Sequence, residues 1–264
     1  MKKKLSVALA AAALAVLPAS AAMADGHVAA QVTIVHGVPG ADGVNILAGD
    51  DVLLADVDFT DVATTDVPAG TYAIAVSTSD SADDAVIGPV DLTFSEGGIY
   101  AVVAHLDADG ELTASVFTVN DAEGISAFHT AAFPAVAIVA GGEIVADDLT
   151  NGNAAQLDLE AGTELPGVGV AAAGTTELAL EAGDVTIPAG QRVLAFAIGS
   201  GDDGSIQLVA EVIDVSAEDA TPVAEHSPGE AGLASGLPGM VIALMIAGGL
   251  LLAVPTVATA RRRS

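Results

Sequence analysis

Val44 to Thr71 reads VNILAGDDVLLADVDFTDVATTDVPAGT, and 92 residues later Val136 to Thr163 reads VAIVAGGEIVADDLTNGNAAQLDLEAGT. The 28 positions align without a gap, and ten are identical, among them Val44/Val136, Gly49/Gly141, Asp56/Asp148 and the Ala69-Gly70-Thr71/Ala161-Gly162-Thr163 triplet. Many of the other positions exchange one apolar residue for another. The match extends outward with a one-residue slip, placing His36 opposite His129 and Leu92-Thr93-Phe94 opposite Val185-Thr186-Ile187. Self-similarity at a fixed offset marks a duplicated unit. We place the first copy at 31–120 and the second at 125–215, with Asn120 to Ile125 as the connection.

The local pattern inside each copy is that of short strands. Gln31–Val35, Tyr72–Val76, Ile99–Val103, Val193–Ile198 and Ile206–Val209 are rich in β-branched or aromatic residues and are bounded by Gly, Pro, Asp or Ser. Turn chemistry recurs between them, as at Val38-Pro39-Gly40, Pro68-Ala69-Gly70, Asp109-Gly110, Pro188-Ala189-Gly190 and Asp203-Gly204. Asp107–Glu111 and its counterpart Gly201–Ser205 read as hairpin connections. The expected fold class is all-β, with two tandem immunoglobulin-like β-sandwich domains, since two sheets must cover each other's apolar faces.

Composition narrows the chemistry. The 264 residues include no Cys and no Trp, two Tyr and six Phe, so each core must be assembled mainly from Val, Ile, Leu and Ala. Without cysteine there is neither a disulfide nor a thiolate nucleophile. All 35 acidic residues lie between Lys4 and Arg261, and the only basic residue in that interval is Arg192. Such a surface repels nucleic acid, whose phosphates need clustered Lys and Arg, and favours weakly bound cations. Salt screens the self-repulsion of so many carboxylates, so a saline habitat is expected.

The two ends carry export and anchoring signals. Residues 1–24 combine Lys2-Lys3-Lys4, an apolar run from Leu5 to Leu17 and the small-residue spacing Ala22-Met23-Ala24, the pattern of a cleaved secretory signal peptide. No charge occurs from Ala231 to Ala260. Residues 237–260 are long enough to cross a hydrocarbon core of about 30 Å as one transmembrane helix, and Arg261-Arg262-Arg263 in the tail 261–264 hold the C-terminus in the cytoplasm. Residues 216–236, acidic and containing Pro222 and Pro228, read as a solvated stalk. Stalk, apolar span and basic tail together resemble a cell-wall sorting signal, but Leu237-Pro238-Gly239-Met240 lacks the L-P-x-T-G threonine, and retention in the lipid bilayer is expected instead. The topology is then single-pass in the cell membrane, with the acidic domains extracellular.

Three motifs give the first copy a family resemblance. They are Gln31-Val32-Thr33-Ile34-Val35-His36-Gly37-Val38-Pro39, Val67-Pro68-Ala69-Gly70-Thr71-Tyr72, and Leu92-Thr93-Phe94 with Ile99–Ala104. Together they resemble the bacterial domain of unknown function 4397 family, with its V-x-V-V-H-x-x-P opening and V-P-A-G-T-Y centre. The second copy is looser, with Glu160 and Glu164 in place of Pro68 and Tyr72. The resemblance implies an exported β-sandwich module, often in tandem and anchored at the surface, and it implies no activity and no site residues.

Few residues point to chemistry. Asp107, Asp109 and Glu111 supply the hard oxygens that calcium prefers, without the remaining positions of an EF-hand loop. Asp80–Asp84 is a second acidic loop of that kind. Cleavage after Ala24 would expose Asp25-Gly26-His27, whose free amine, amides and imidazole make a square-planar set for Cu(II) or Ni(II). His36 and His129, each ending a first strand, suit a ring that hydrogen-bonds the following turn, and His105 suits a packing position because Ile198 is its counterpart. There is no G-x-S-x-G elbow, no phosphate loop, no singled-out carboxylate pair and little aromatic surface for sugars. No catalytic residue and no cofactor are expected. The expected role is a non-enzymatic surface protein serving adhesion, envelope structure or contact with an envelope or extracellular protein. Calcium binding is the alternative and an extracellular hydrolase the third reading.

Overall fold

The structure is a computed structural model that describes residues 28–49 and 51–215. The expected signal peptide, the Asp25/His27 terminus, the stalk, the transmembrane span and the tail all lie outside these residues. Among the described residues no helix is long and apolar enough to cross a membrane.

The first copy forms β1 (Ala30–His36), β2 (Val44–Ala48), β3 (Asp51–Val57), β4 (Val62–Val67), β5 (Gly70–Ser77), β6 (Ala85–Phe94), β7 (Ile99–Leu106) and β8 (Leu112–Thr118). The second forms β9 (Gly124–His129), β10 (Val136–Ala140), β11 (Glu143–Leu149), β12 (Asn153–Asp158), β13 (Glu164–Ala172), β14 (Leu178–Thr186), β15 (Gln191–Ile198) and β16 (Gln207–Asp214). The all-β expectation holds, and each strand has its counterpart eight strands later.

Each copy is two four-stranded sheets. In the first copy these are β4-β1-β7-β8 and β3-β2-β5-β6, and in the second β12-β9-β15-β16 and β11-β10-β13-β14. The same register irregularity falls at Val44–Leu47 and at Val136–Val139. Asp56 and Asp148, one of the identical pairs, both take a positive φ, 57° and 52°. The duplication therefore extends to bulges and backbone exceptions.

The immunoglobulin-like expectation needs correction. Each sandwich has eight strands, and the first strand pairs in parallel with the seventh, β1 with β7 and β9 with β15, at the centre of its sheet. An immunoglobulin constant domain divides seven strands between an ABED and a CFG sheet.

The two copies are also more than beads on a string. Along β1, Val32 and Ile34 enter the core of the first sandwich with Val44, Ile46, Val76, Phe94 and Val102. The alternate residues Val35, Ala101 and Val103 face outward and pack against Phe128, Leu194, Phe196 and Ile198 of the second copy. The sheets β4-β1-β7-β8 and β12-β9-β15-β16 are thus covered on both faces, which makes a stack of four sheets, roughly 10 Å apart, with a third core in the middle. Strands buried on both faces carry near-continuous apolar runs instead of alternation, as in IYAVVAHL of β7 and QRVLAFAI of β15. Phe59, Phe117, Phe128 and Phe196 all belong to this shared core, so the few aromatics are concentrated where the copies meet.

Strand direction fixes where the chain enters and leaves. Gln31 pairs with Ile99, Tyr100 with Thr118, Arg192 with Gly124 and Gln191 with Asp214. The start of β1, the link 119–123 and the end of β16 therefore lie at one end, the base. At the opposite end Gly199 donates to the Gly37 carbonyl and Asn151 donates to the carbonyls of Leu106 and Ala131, so the facing sheets run in the same sense.

Candidate functional site

Short loops close the sandwiches at the far end, and their polar side chains mostly serve the loops. His36 Nε2 donates to the Ala41 carbonyl at 2.5 Å, and His129 Nε2 to the carbonyls of Phe133 and Pro134 at 3.2 and 3.1 Å. In both rings Nδ1 is buried without a hydrogen-bond partner, which fixes the same tautomer twice. This is the turn-fastening role expected of both histidines. His105 is buried as well, donating from Nδ1 to the Leu106 carbonyl and accepting at Nε2 from the Ser115 hydroxyl. Burial lowers the pKa of His105 and of His129, which keeps both neutral in the fold.

The acidic candidates are placed as follows. Asp107 Oδ1 accepts from the backbone N–H of both Asp109 and Glu111 at 2.9 Å, closing the β7–β8 turn, while Asp109 and Glu111 point into solvent. Asp80 accepts from Asn45 Nδ2 at 2.7 Å, and Asp84 accepts from the Ser79 hydroxyl beside a short 3-10 turn, Ala82–Asp84. Among the described residues no three acidic, His or Cys side chains are gathered as a metal cage.

Arg192 is a structural residue that composition alone had not assigned. The one basic residue in the acidic interval is fully buried at the base, where Nε donates to the Ala122 carbonyl at 2.8 Å. Nη1 donates to the Ile125 carbonyl and the Ser126 hydroxyl, and Nη2 forms an ion pair with Asp158. Hydrogen bonds from Asn120, and then Arg192, hold the Asp158 carboxyl below its usual pKa. Asn120 donates to Gln156 and Asp158, and Glu123 accepts from the N–H of Ala161 and Gly190, so the connection is fastened along its length. The signal available in the sequence was the isolation of one arginine among 35 acids.

A groove opens at the edge of the first copy. Between the edge strands β3 and β4, near the far end, Ile34, Leu54, Ala55, Val57, Val62 and Ala63 line a groove of about 200 Å³ with Asp56 and Asp61 among its walls. It is smaller than the roughly 300–1,000 Å³ of a metabolite site.

The described residues thus define an all-β protein of two sandwich-like groups joined through a common core. Residues 30–127 match the model of the family described as Domain of unknown function (DUF4397). The match takes in all of the first copy and the opening of β9. No curated protein matches the chain.

The motifs of the family resemblance have physical explanations here. The histidine of the opening ties β1 to the loop before β2. In Val67-Pro68-Ala69-Gly70-Thr71-Tyr72 the Tyr72 hydroxyl donates to the Pro68 carbonyl at 2.9 Å, and its ring lies against Gly70, where a Cβ would stand 3.4 Å from it. In the second copy Thr163 takes over the role, its hydroxyl donating to the Glu160 carbonyl at 2.7 Å.

Proposed function

We propose that this is a non-enzymatic, membrane-anchored protein of the cell exterior whose two fused sandwiches present their far end for contact with an envelope or extracellular protein. The observation that carries the reading is that both chain exits lie at the base. A C-terminal anchor beyond residue 215 then leaves the opposite end turned outward. That end carries the loops with Asp42, Asp58, Asp61, Asp80, Asp107, Asp202 and Asp203. The polar groups there are engaged in holding turns, which suits a rigid display surface. Salt screening of this acidic face fits the saline setting expected from composition. The calcium reading has less support, since Asp107 is occupied as a turn acceptor.

Treating intact cells with an external protease tests the proposal. The described body is expected to be released or cleaved while a cytoplasmic control stays whole. Complete protection of the body on intact cells, with cleavage only after lysis, would overturn it.

A further inference from the structure

We propose that the groove between β3 and β4 of the first copy receives a lysine or arginine side chain from a partner protein. The inference specifies the protein-contact role proposed above and depends on it for context. Its failure is distinct, because it concerns binding by the purified chain and not where the chain resides.

The walls Ile34, Leu54, Val57 and Val62 are apolar, while Asp56 and Asp61 are exposed at the same opening. A cation carried on a hydrocarbon stem matches both features, with methylenes against the walls and the charged head beside the carboxylates in water. A bare divalent ion does not match, because it needs six or more oxygens and the groove is chiefly hydrocarbon. The rim is held in place from behind. Asp56 sits at φ 57° with its N–H bonded to Asn45 Oδ1 at 3.0 Å, and Asp61 Oδ2 accepts from the Asp58 N–H at 2.9 Å. Among the described residues the one Lys or Arg is Arg192, and it is buried at the base, away from this opening. The second copy provides an internal comparison. Its counterparts of Leu54, Ala55 and Asp61 are Ala146, Asp147 and Asn153, so the apolar wall is reduced there while two carboxylates remain.

The test is fluorescence anisotropy of the full purified chain with labelled hexalysine at physiological salt. A hexapeptide of 2,4-diaminobutyric acid, which keeps an ammonium head on a two-carbon stem, serves as the comparison. Saturable binding of one hexalysine is expected, weakened tenfold or more in D56N/D61N, about 1.4 kcal/mol, and unchanged in D147N/D148N of the second copy. The short-stem peptide is expected to bind at least tenfold more weakly than hexalysine, a result that needs no variant to fold. Equal binding of the two peptides, an unaffected D56N/D61N, or equal weakening in D147N/D148N would each reduce the interaction to diffuse attraction and overturn the proposal.

Discussion

Phe128 and Phe196 lie face to face, ring centroids 4.5 Å apart and planes 13° from parallel, on the sheet of the second copy that meets the first. Their counterparts in the first copy are Val35 and Val103, and Leu194 answers Ala101. Large side chains on one sheet therefore stand against small ones on the other, the kind of complement by which close-packed interiors are filled.

Removing one of these rings tests whether the stack unfolds as a whole. F196A is expected to cost about 3–5 kcal/mol. Both tyrosines belong to the first copy, so tyrosine fluorescence reports on that copy and far-ultraviolet circular dichroism on both. The two signals should share one urea midpoint in the parent and shift together in F196A. A shift in the dichroism alone would show that the copies unfold separately.

Thr60 holds a left-handed backbone, φ 83°, where the second copy has Gly152 at φ 77°. Both positions use the backbone N–H in the same way, Thr60 to the His36 carbonyl and Gly152 to the His129 carbonyl. A β-branched residue is strained there. Thr60→Gly is expected to stabilise by about 0.5–1 kcal/mol, the relief of strain exceeding the added freedom of the unfolded chain. Chemical denaturation that finds T60G less stable would refute this account of the turn.

Arg192→Met keeps much of the buried volume and deletes the donors that hold the connection. With the carbonyls of Ala122 and Ile125 left without it, a loss of about 2–4 kcal/mol is expected. Arg192→Lys should recover little, because a single ammonium cannot reach the partners of a planar fork. Hydrogen exchange at the Asn120 and Ala161 amides should accelerate in R192M. Unchanged exchange there would mean that the arginine does not secure the link.

Acid should weaken the fold first through its buried imidazoles. Burial is the largest cause lowering the pKa of His105 and His129, opposed by the Leu106 carbonyl and Asp107 at the first ring and by the Pro134 and Phe133 carbonyls at the second. The unfolded chain binds protons at these rings once pH falls below roughly 6.5, while the folded chain resists them. Their contribution is therefore complete above that value and is lost as pH falls below it. Asp158, whose folded pKa is also lowered, adds a further loss at the lower pH where carboxylates titrate. Urea midpoints measured from pH 7.5 down to 5 should fall. The fall should be smaller in H105I/S115V, which transplants Ile198 and Val209 from the second copy. An identical slope in that variant would remove His105 from the explanation.

The duplication, the strand-rich class, the hairpins at Asp107–Glu111 and Gly201–Ser205 and the fastening role of His36 and His129 could all be read from residue order. Each depends on neighbours within a few positions or on a repeat that is itself a property of the text. The acidic bias was equally plain, as was the absence of a recognised catalytic motif. Strand order was not, because parallel pairing of β1 with β7 joins segments more than sixty residues apart and leaves no local mark. The groove at Asp56 and Asp61 likewise exists only because two edge strands of different sheets come together.

The sandwich face that each copy turns toward the other was written as apolar runs, yet such runs look the same whether they meet a second sheet of their own copy or one of its neighbour. The fold settles that choice by fit, Val35 and Val103 against Phe128 and Phe196, and by giving the lone Arg192 its partners at the base. Hydrophobic patterning says which residues must leave water, and it carries no label for the surface that will receive them.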